Sequence, residues 1–200
     1  MKRTVSDMNK GKFIVLDGID GSGTTTHAKL LKNWLVQKGY AVELTAEPST
    51  RKIGTMIRKN LRTTKTSAEV DALLFAADRL DHVENVIKPS LMAKKIVVSD
   101  RYVESAVAYQ TAAGLEMEWV LELNKFIINP DLTIILDLEP EIGLRRKKKL
   151  TDKFENVEFL KKVREIYIQR AQSRNYSIIN TDRPINIVQE ELQKYIQSLL

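Results

Sequence analysis

The segment Phe13-Ile-Val-Leu-Asp17-Gly18-Ile-Asp20-Gly21-Ser22-Gly23-Thr24-Thr25-Thr26 leaves a chain few ways to begin folding. Its apolar run reads as a buried strand, and Ala28, Leu30, Leu31, Trp34 and Leu35 then mark the apolar stripe of a helix. Between the two, glycines let backbone N–H groups turn inward without Cβ clashes, and the helix start adds unpaired amides and a positive dipole end. Such a strand, loop and helix cradle a phosphate. The pattern G-x-x-x-x-G-K-[ST] is met by Gly18, Gly23 and Thr25, whose hydroxyl suits Mg²⁺, but Thr24 stands where the pattern has lysine. Positive charge at a bound phosphate must therefore come from elsewhere. A glycine-rich turn without a ligand is the competing reading of the loop alone.

Two hundred residues bury a sizeable core and suggest one domain. The net charge of +6 favours anionic ligands, but the basic residues are interspersed with 26 acidic ones rather than gathered into an arm. A nucleotide accounts for that balance, and we expect neither nucleic acid nor membrane as a partner. With no cysteine and two histidines, disulfides and thiolate metal sites are excluded. Met1 to Gly11 is polar, and no apolar run approaches the roughly 20 residues of a membrane span, so a soluble cytoplasmic protein is expected.

Strand-like runs at about 12–17, 41–46, 95–99, 132–137 and 176–180 alternate with helical candidates at about 25–38, 52–61, 67–91, 103–128 in two pieces, 140–149, 155–173 and 185–199. That alternation predicts an α/β fold with a parallel sheet flanked by helices. Lys38-Gly39 reads as the stop of the first helix. Ligands of such sheets gather beyond the carboxyl ends of the strands, which directs attention to Asp17–Thr25, Glu47-Pro48 and Asp100-Arg101.

Gly18-Ile-Asp-Gly-Ser-Gly23, Glu47-Pro48, Phe75-x-x-x-Arg79, Asp100-Arg-Tyr-x-x-Ser-x-x-x-Tyr-Gln110 and Asp152-Lys-Phe-Glu155 follow one another in a characteristic order and spacing. From about residue 12 to 180 the chain resembles thymidylate kinases. The resemblance implies a P-loop NTPase fold with a basic lid, a single nucleoside monophosphate kinase domain over 1–200 with its lid at about 143–156, ATP and dTMP as substrates, Mg²⁺ as cofactor, and a homodimer. It implies ATP binding by Gly18, Ile19, Asp20, Gly21, Ser22, Gly23, Thr24, Thr25 and Thr26, and metal binding by Thr25 and Asp100. The acceptor would be held by Asp20, Glu47, Phe75, Arg79, Arg101, Ser105, Tyr109 and Gln110.

Within that set the resemblance gives Arg101 the monophosphate, and a guanidinium suits paired phosphate oxygens. Asp100 would orient Arg101 or hold a water on Mg²⁺; it also reads as a helix N-cap paired to Arg101. Phe75 and Arg79, four apart on one helix face, would stack on thymine and reach its carbonyl. Without the family, Phe75 reads as core and Tyr109 as ordinary packing. By resemblance Tyr109 sits beneath the sugar and disfavours a 2′-hydroxyl, and Asp20 meets the 3′-hydroxyl side.

The run Arg145-Arg-Lys-Lys-Lys149, followed by Lys153, matches the lid that closes over ATP, and a solvated basic face is its alternative reading. Catalytic residues are expected to be Arg101, Asp100, Arg145, Arg146 and Lys149. Gly21 assigns the chain to the form of the family whose cations lie in the lid rather than in the phosphate loop. It departs from the pattern at Thr24, at Lys153 and Ala46 where Arg is usual, and at His27 where Gln is usual. Losing a preorganised cation costs on the order of 3 kcal/mol in the transition state, about a hundredfold in rate, unless something compensates. The resulting expectation is phosphorylation of dTMP to dTDP. Its competitors are a related kinase acting on dUMP or a deoxynucleoside, and a nucleotide-binding module without transfer.

Overall fold

The computed structural model describes residues 11–63, 66–146, 154 and 156–200. Five parallel strands form one sheet in the order β2-β3-β1-β4-β5. They are β1 (Lys12–Gly18), β2 (Val42–Ala46), β3 (Ile96–Asp100), β4 (Leu132–Asp137) and β5 (Ser177–Asn180), within a residue or so of the expected runs. Helices α1 (Thr24–Gln37), α2 (Lys52–Thr63), α3 (Ala68–His82), α4 (Lys88–Met92), α5 (Val103–Ala112), α6 (Met117–Leu123), α7 (Pro140–Arg146), α8 (Val157–Arg174) and α9 (Ile185–Leu199) join and flank them.

Alternation along β1 sorts the core into two layers. Ile14 and Leu16 pack with Ala28, Leu31 and Leu35 of α1 and with Val188, Leu192 and Ile196 of α9. Phe13 and Val15 face the other way, against Val83, Ile87, Val97 and Tyr102. Asp17 continues this second parity, so a carboxylate is carried into the interior. Helix α1 ends where expected, at Lys38 followed by Gly39 with φ +88°. The long helical run expected over 67–91 is realised as α3 and α4 joined by a wide π turn, Val83–Ile87. Pro89 lacks the N–H that a regular helix would use, and the widened turn just before it accommodates that loss.

The register decides where function can sit. Leu16 lies beside Asp100, and Asp100 beside Ala46. Pairing continues past the strand ends, with Arg101 N–H donating to Leu16 O at 2.8 Å and Glu47 N–H to Asp100 O at 3.0 Å. Three separated segments thus meet at one sheet edge. Among the described residues, no helix is long and apolar enough to cross a membrane.

Candidate active site

One cavity of about 130 Å³ opens at this edge and is lined by Asp20, Glu47, Phe75, Arg79, Arg101, Ser105, Tyr109 and Gln110, together with Pro48, Tyr102 and Phe154. All eight expected acceptor residues are therefore in one place. Phe75 is half-buried with its ring on the cavity rather than in the core. Gln110 is buried, and its Oε1 has no hydrogen-bond partner among the described residues. A buried acceptor left open on a cavity wall costs about 1–3 kcal/mol until something donates to it.

Arg101 occupies the cavity floor in a left-handed conformation, φ +72°, which strains a non-glycine residue by about 1–3 kcal/mol. Its Nη1 donates to Gly18 O at 2.7 Å and Ser105 Oγ at 3.1 Å, and its Nη2 to Asp20 Oδ1 at 2.6 Å. Burial opposes the guanidinium charge, but Tyr109, Asp20, Tyr167 and Asp17 outweigh it, and Arg101 stays firmly cationic. Asp100 takes no part in this clamp, which corrects the expectation that it orients Arg101. Nor does it cap α5. The amides of Tyr102 and Ser105 at the start of that helix donate to Asp17 Oδ2 at 3.0 and 3.2 Å.

Asp17 also accepts from the Ser105 and Tyr167 hydroxyls at 2.5 and 2.7 Å. Burial pushes its carboxyl up to about 6, against Arg101 and these donors, which pull it down. Ser105 couples the two residues by accepting from Arg101 and donating to Asp17. Tyr109 sits over Arg101, accepts from Asp20 N–H and donates to Asp20 Oδ1, both at 3.2 Å.

A second buried network fixes the opposite wall. Glu47 lies 2.8 Å from Arg79 Nε and 3.1 Å from His82 Nδ1, while Thr45 meets the other nitrogen of His82 at 2.6 Å. Arg79 donates further to Asn124 Oδ1 and the Tyr102 carbonyl. The chain after Glu47 is clamped by Arg58, which donates to the Pro48 and Ser49 carbonyls, and by Asp78, which accepts from Ser49 N–H and Oγ, all at 2.6 Å. The Glu47-Pro48 peptide is cis.

A larger cavity of about 540 Å³ adjoins the first and is lined by Asp20, the loop from Gly21 to Thr26, His27, Arg101, Arg146, Thr181, Arg183 and Ile185. Gly21, at φ +84°, packs so closely on α7 that a Cβ would stand 2.2 Å from Gly143 O. No side chain fits there, so a cation at that loop position is sterically excluded. Ser22 Oγ is buried in the loop without a partner among the described residues. Thr24 is buried at the lysine position.

Of the expected lid cations, Arg146 reaches this cavity and donates to Thr181 O at 3.1 Å, whereas Arg145 is exposed and lines neither cavity. Lys149 and Lys153 lie outside the described residues. His27, Thr181 and Arg183 had no role in the sequence-based site. His27 carried one signal, its departure from the usual glutamine; Thr181 and Arg183 carried none.

Thr25 Oγ1 donates to Asp100 Oδ2, and Asp100 Oδ1 is buried without a partner among the described residues. Among the described residues no group of three or more His, Cys, Asp or Glu could hold a metal alone. A hydroxyl and an open carboxylate oxygen beside a phosphate loop fit Mg²⁺, which keeps several waters and takes remaining ligands from substrate phosphates.

Comparison with known proteins gives the family. Residues 16–192 match the family model for thymidylate kinase. A probable thymidylate kinase of Thermococcus kodakarensis is 42% identical over 94% of this chain and 98% of its own length. Others from Pyrococcus horikoshii and Staphylothermus marinus are 46% and 40% identical, over 82% and 94% of this chain and 84% and 96% of their own lengths. With its fold, its phosphate loop and this extent of similarity in agreement, the chain belongs to the thymidylate kinase family.

Proposed function

We propose that this protein transfers the γ-phosphoryl group of ATP to dTMP, giving dTDP and ADP. One observation carries the reading: the two cavities share Asp20 and Arg101. An acceptor monophosphate and the end of a donor triphosphate would therefore meet at one guanidinium. An oxygen of the dTMP phosphate attacks Pγ as the bond from Pγ to the β-bridging oxygen breaks, and ADP departs with that electron pair. The acceptor oxygen is already ionised, so no strong base is required and catalysis rests on alignment and charge neutralisation.

The loop amides and Ser22 hold the donor, Arg101 holds the acceptor phosphate, and Arg146 stands at the donor wall. Thr25 and Asp100 would hold Mg²⁺, which when bound neutralises phosphate charge. In the acceptor cavity, Phe75 offers a face for a base and the open Gln110 Oε1 an acceptor for the N3–H of thymine. Tyr109, tied to Asp20, forms the wall under the sugar.

The reading extends to one nucleoside monophosphate kinase domain over 1–200 with its lid at about 143–156, acting in the cytoplasm. It includes a homodimer formed through helices. Exposed Val70, Leu73 and Leu80 fall on one side of α3, which supports an apolar pairing surface. Sedimentation showing a monomer throughout the micromolar range would contradict the dimer.

An acceptor panel tests the pocket. Under ATP and Mg²⁺, dTMP should be turned over well above dCMP, dAMP and dGMP. Equal rates for purine and thymine monophosphates would overturn the assignment.

A further inference from the structure

The phosphate loop has lost its lysine, yet the donor cavity holds a side chain no motif assigns. His27 begins the second turn of α1, where its N–H donates to Gly23 O at 2.9 Å, and its ring lines the cavity. The ring lies against the loop, with Cδ2 3.2 Å and Nε2 3.6 Å from where a Cβ on Gly23 would stand. Its other edge meets Gln189 of α9.

That contact determines where the ring proton sits. Gln189 Nε2 lies 2.7 Å from His27 Nδ1 and 3.2 Å from the His27 carbonyl oxygen. A carbonyl only accepts, so the amide nitrogen must face it, and the same nitrogen then donates to Nδ1. Nδ1 carries the lone pair and the proton is on Nε2. With Nδ1 accepting from Gln189, the ring is the neutral imidazole. Nε2–H makes no hydrogen bond to another described residue.

We propose that His27 Nε2–H is a hydrogen-bond donor to the nucleotide phosphates held in the loop, with Gln189 as the positioning residue that fixes its tautomer. The inference rests on the reading of this cavity as the donor site. A neutral donor does not restore the charge missing at Thr24, but it adds a directed N–H to the loop amides at the point where the loop enters α1. Glutamine also presents an N–H, which makes His27→Gln the conservative replacement.

The test is calorimetric titration of the full chain with ADP in Mg²⁺, with dTMP titrated separately and the unfolding midpoint recorded for each variant. His27→Ala should weaken ADP binding about tenfold, the scale of a hydrogen bond to a charged group, and leave dTMP binding within twofold. His27→Gln should recover ADP binding to within about threefold of wild type. Gln189→Met, which leaves the ring in place but frees its tautomer, should cost ADP about threefold. ADP binding within twofold of wild type in His27→Ala overturns the proposal. So does a loss that His27→Gln fails to recover, or one in which dTMP binding and the midpoint fall alike. If the wild type binds ADP yet forms no dTDP, the kinase reading fails while the donor role of His27 is still decided by the variants. If it binds no ADP, both fail.

Discussion

The acceptor cavity and the donor cavity share Asp20 and Arg101 but are built on opposite principles. Around the acceptor most polar groups are already joined to one another, Gln110 Oε1 excepted: Arg101 with Asp20, Gly18 and Ser105; Asp17 with Ser105 and Tyr167; Glu47 with Arg79 and His82. Around the donor, although Thr25 is joined to Asp100 and Arg146 to Thr181, Ser22 Oγ and His27 Nε2 have no partner among the described residues. A preassembled wall fixes a small acceptor before it arrives, whereas an open cradle leaves the donor phosphates to complete the bonding. Substitutions on the acceptor side should therefore disturb the fold as well as the chemistry, and those on the donor side mainly the chemistry.

The sharpest break in that contrast is Glu47→Ala. It leaves Arg79, 1% exposed, without its carboxylate, and unpairing such a buried charge costs about 3–5 kcal/mol. Denaturant unfolding should show that loss; a change below about 1 kcal/mol would mean that the wall is not held by this pair.

Asp17 tests the same wall by pH. Its folded pKa of about 6 stands above the ordinary 3.8, so between these values the folded chain binds a proton that the unfolded chain releases. The stability from this group is complete below about pH 4, declines as pH rises through about 6, and is absent above. A gap of about two units is worth about 3 kcal/mol. Asp17→Asn removes the titration, so the stability of wild type relative to the variant should fall by about that amount between pH 4 and pH 7. A constant difference across this range would contradict the assignment.

Arg101→Ala removes the shared guanidinium. The dTMP requirement should rise by the equivalent of about 1.5–3 kcal/mol, with ATP binding closer to normal. Affinity and turnover for dTMP both within twofold of wild type would show that Arg101 is not the acceptor clamp.

Arg146→Ala, at an exposed donor-side position, should leave stability within about 0.5 kcal/mol and lower kcat about tenfold, roughly 1.4 kcal/mol. Thr24→Lys in that background should restore part of the rate if both charges serve the same phosphates. An unchanged kcat would place the compensation elsewhere.

What the sequence made legible follows the same division. The five strands and the phosphate loop could be read from local pattern, whereas the eight residues assigned to the acceptor by resemblance meet in one cavity from several elements, Phe75 and Arg79 on α3 and Ser105, Tyr109 and Gln110 on α5. Asp17 could be seen as part of a motif, but its role as the cap of α5 joins residues 85 and 88 positions apart, for which no local pattern exists. The pairing of His27 with Gln189 spans 162 positions, and the clamp of Arg58 on Pro48 and Ser49 depends on how α2 folds back. Of the two roles expected for Asp100, orienting Arg101 or holding a water on Mg²⁺, its hydrogen bond to Thr25 fits the second, since adjacent residues at a strand end point in different directions. The basic run is expected to be a lid, but past Arg146 it lies outside the described residues, and which described arginine lines the donor cavity, Arg146 and not Arg145, is set by helix phase.

In the proposed reaction, phosphate passes between the two cavities at Arg101. Incubating the purified protein with γ-labelled ATP, Mg²⁺ and dTMP tests it most directly. Label should appear in dTDP, with one ADP formed per dTDP. Label released as inorganic phosphate, with no dTDP formed, would contradict it.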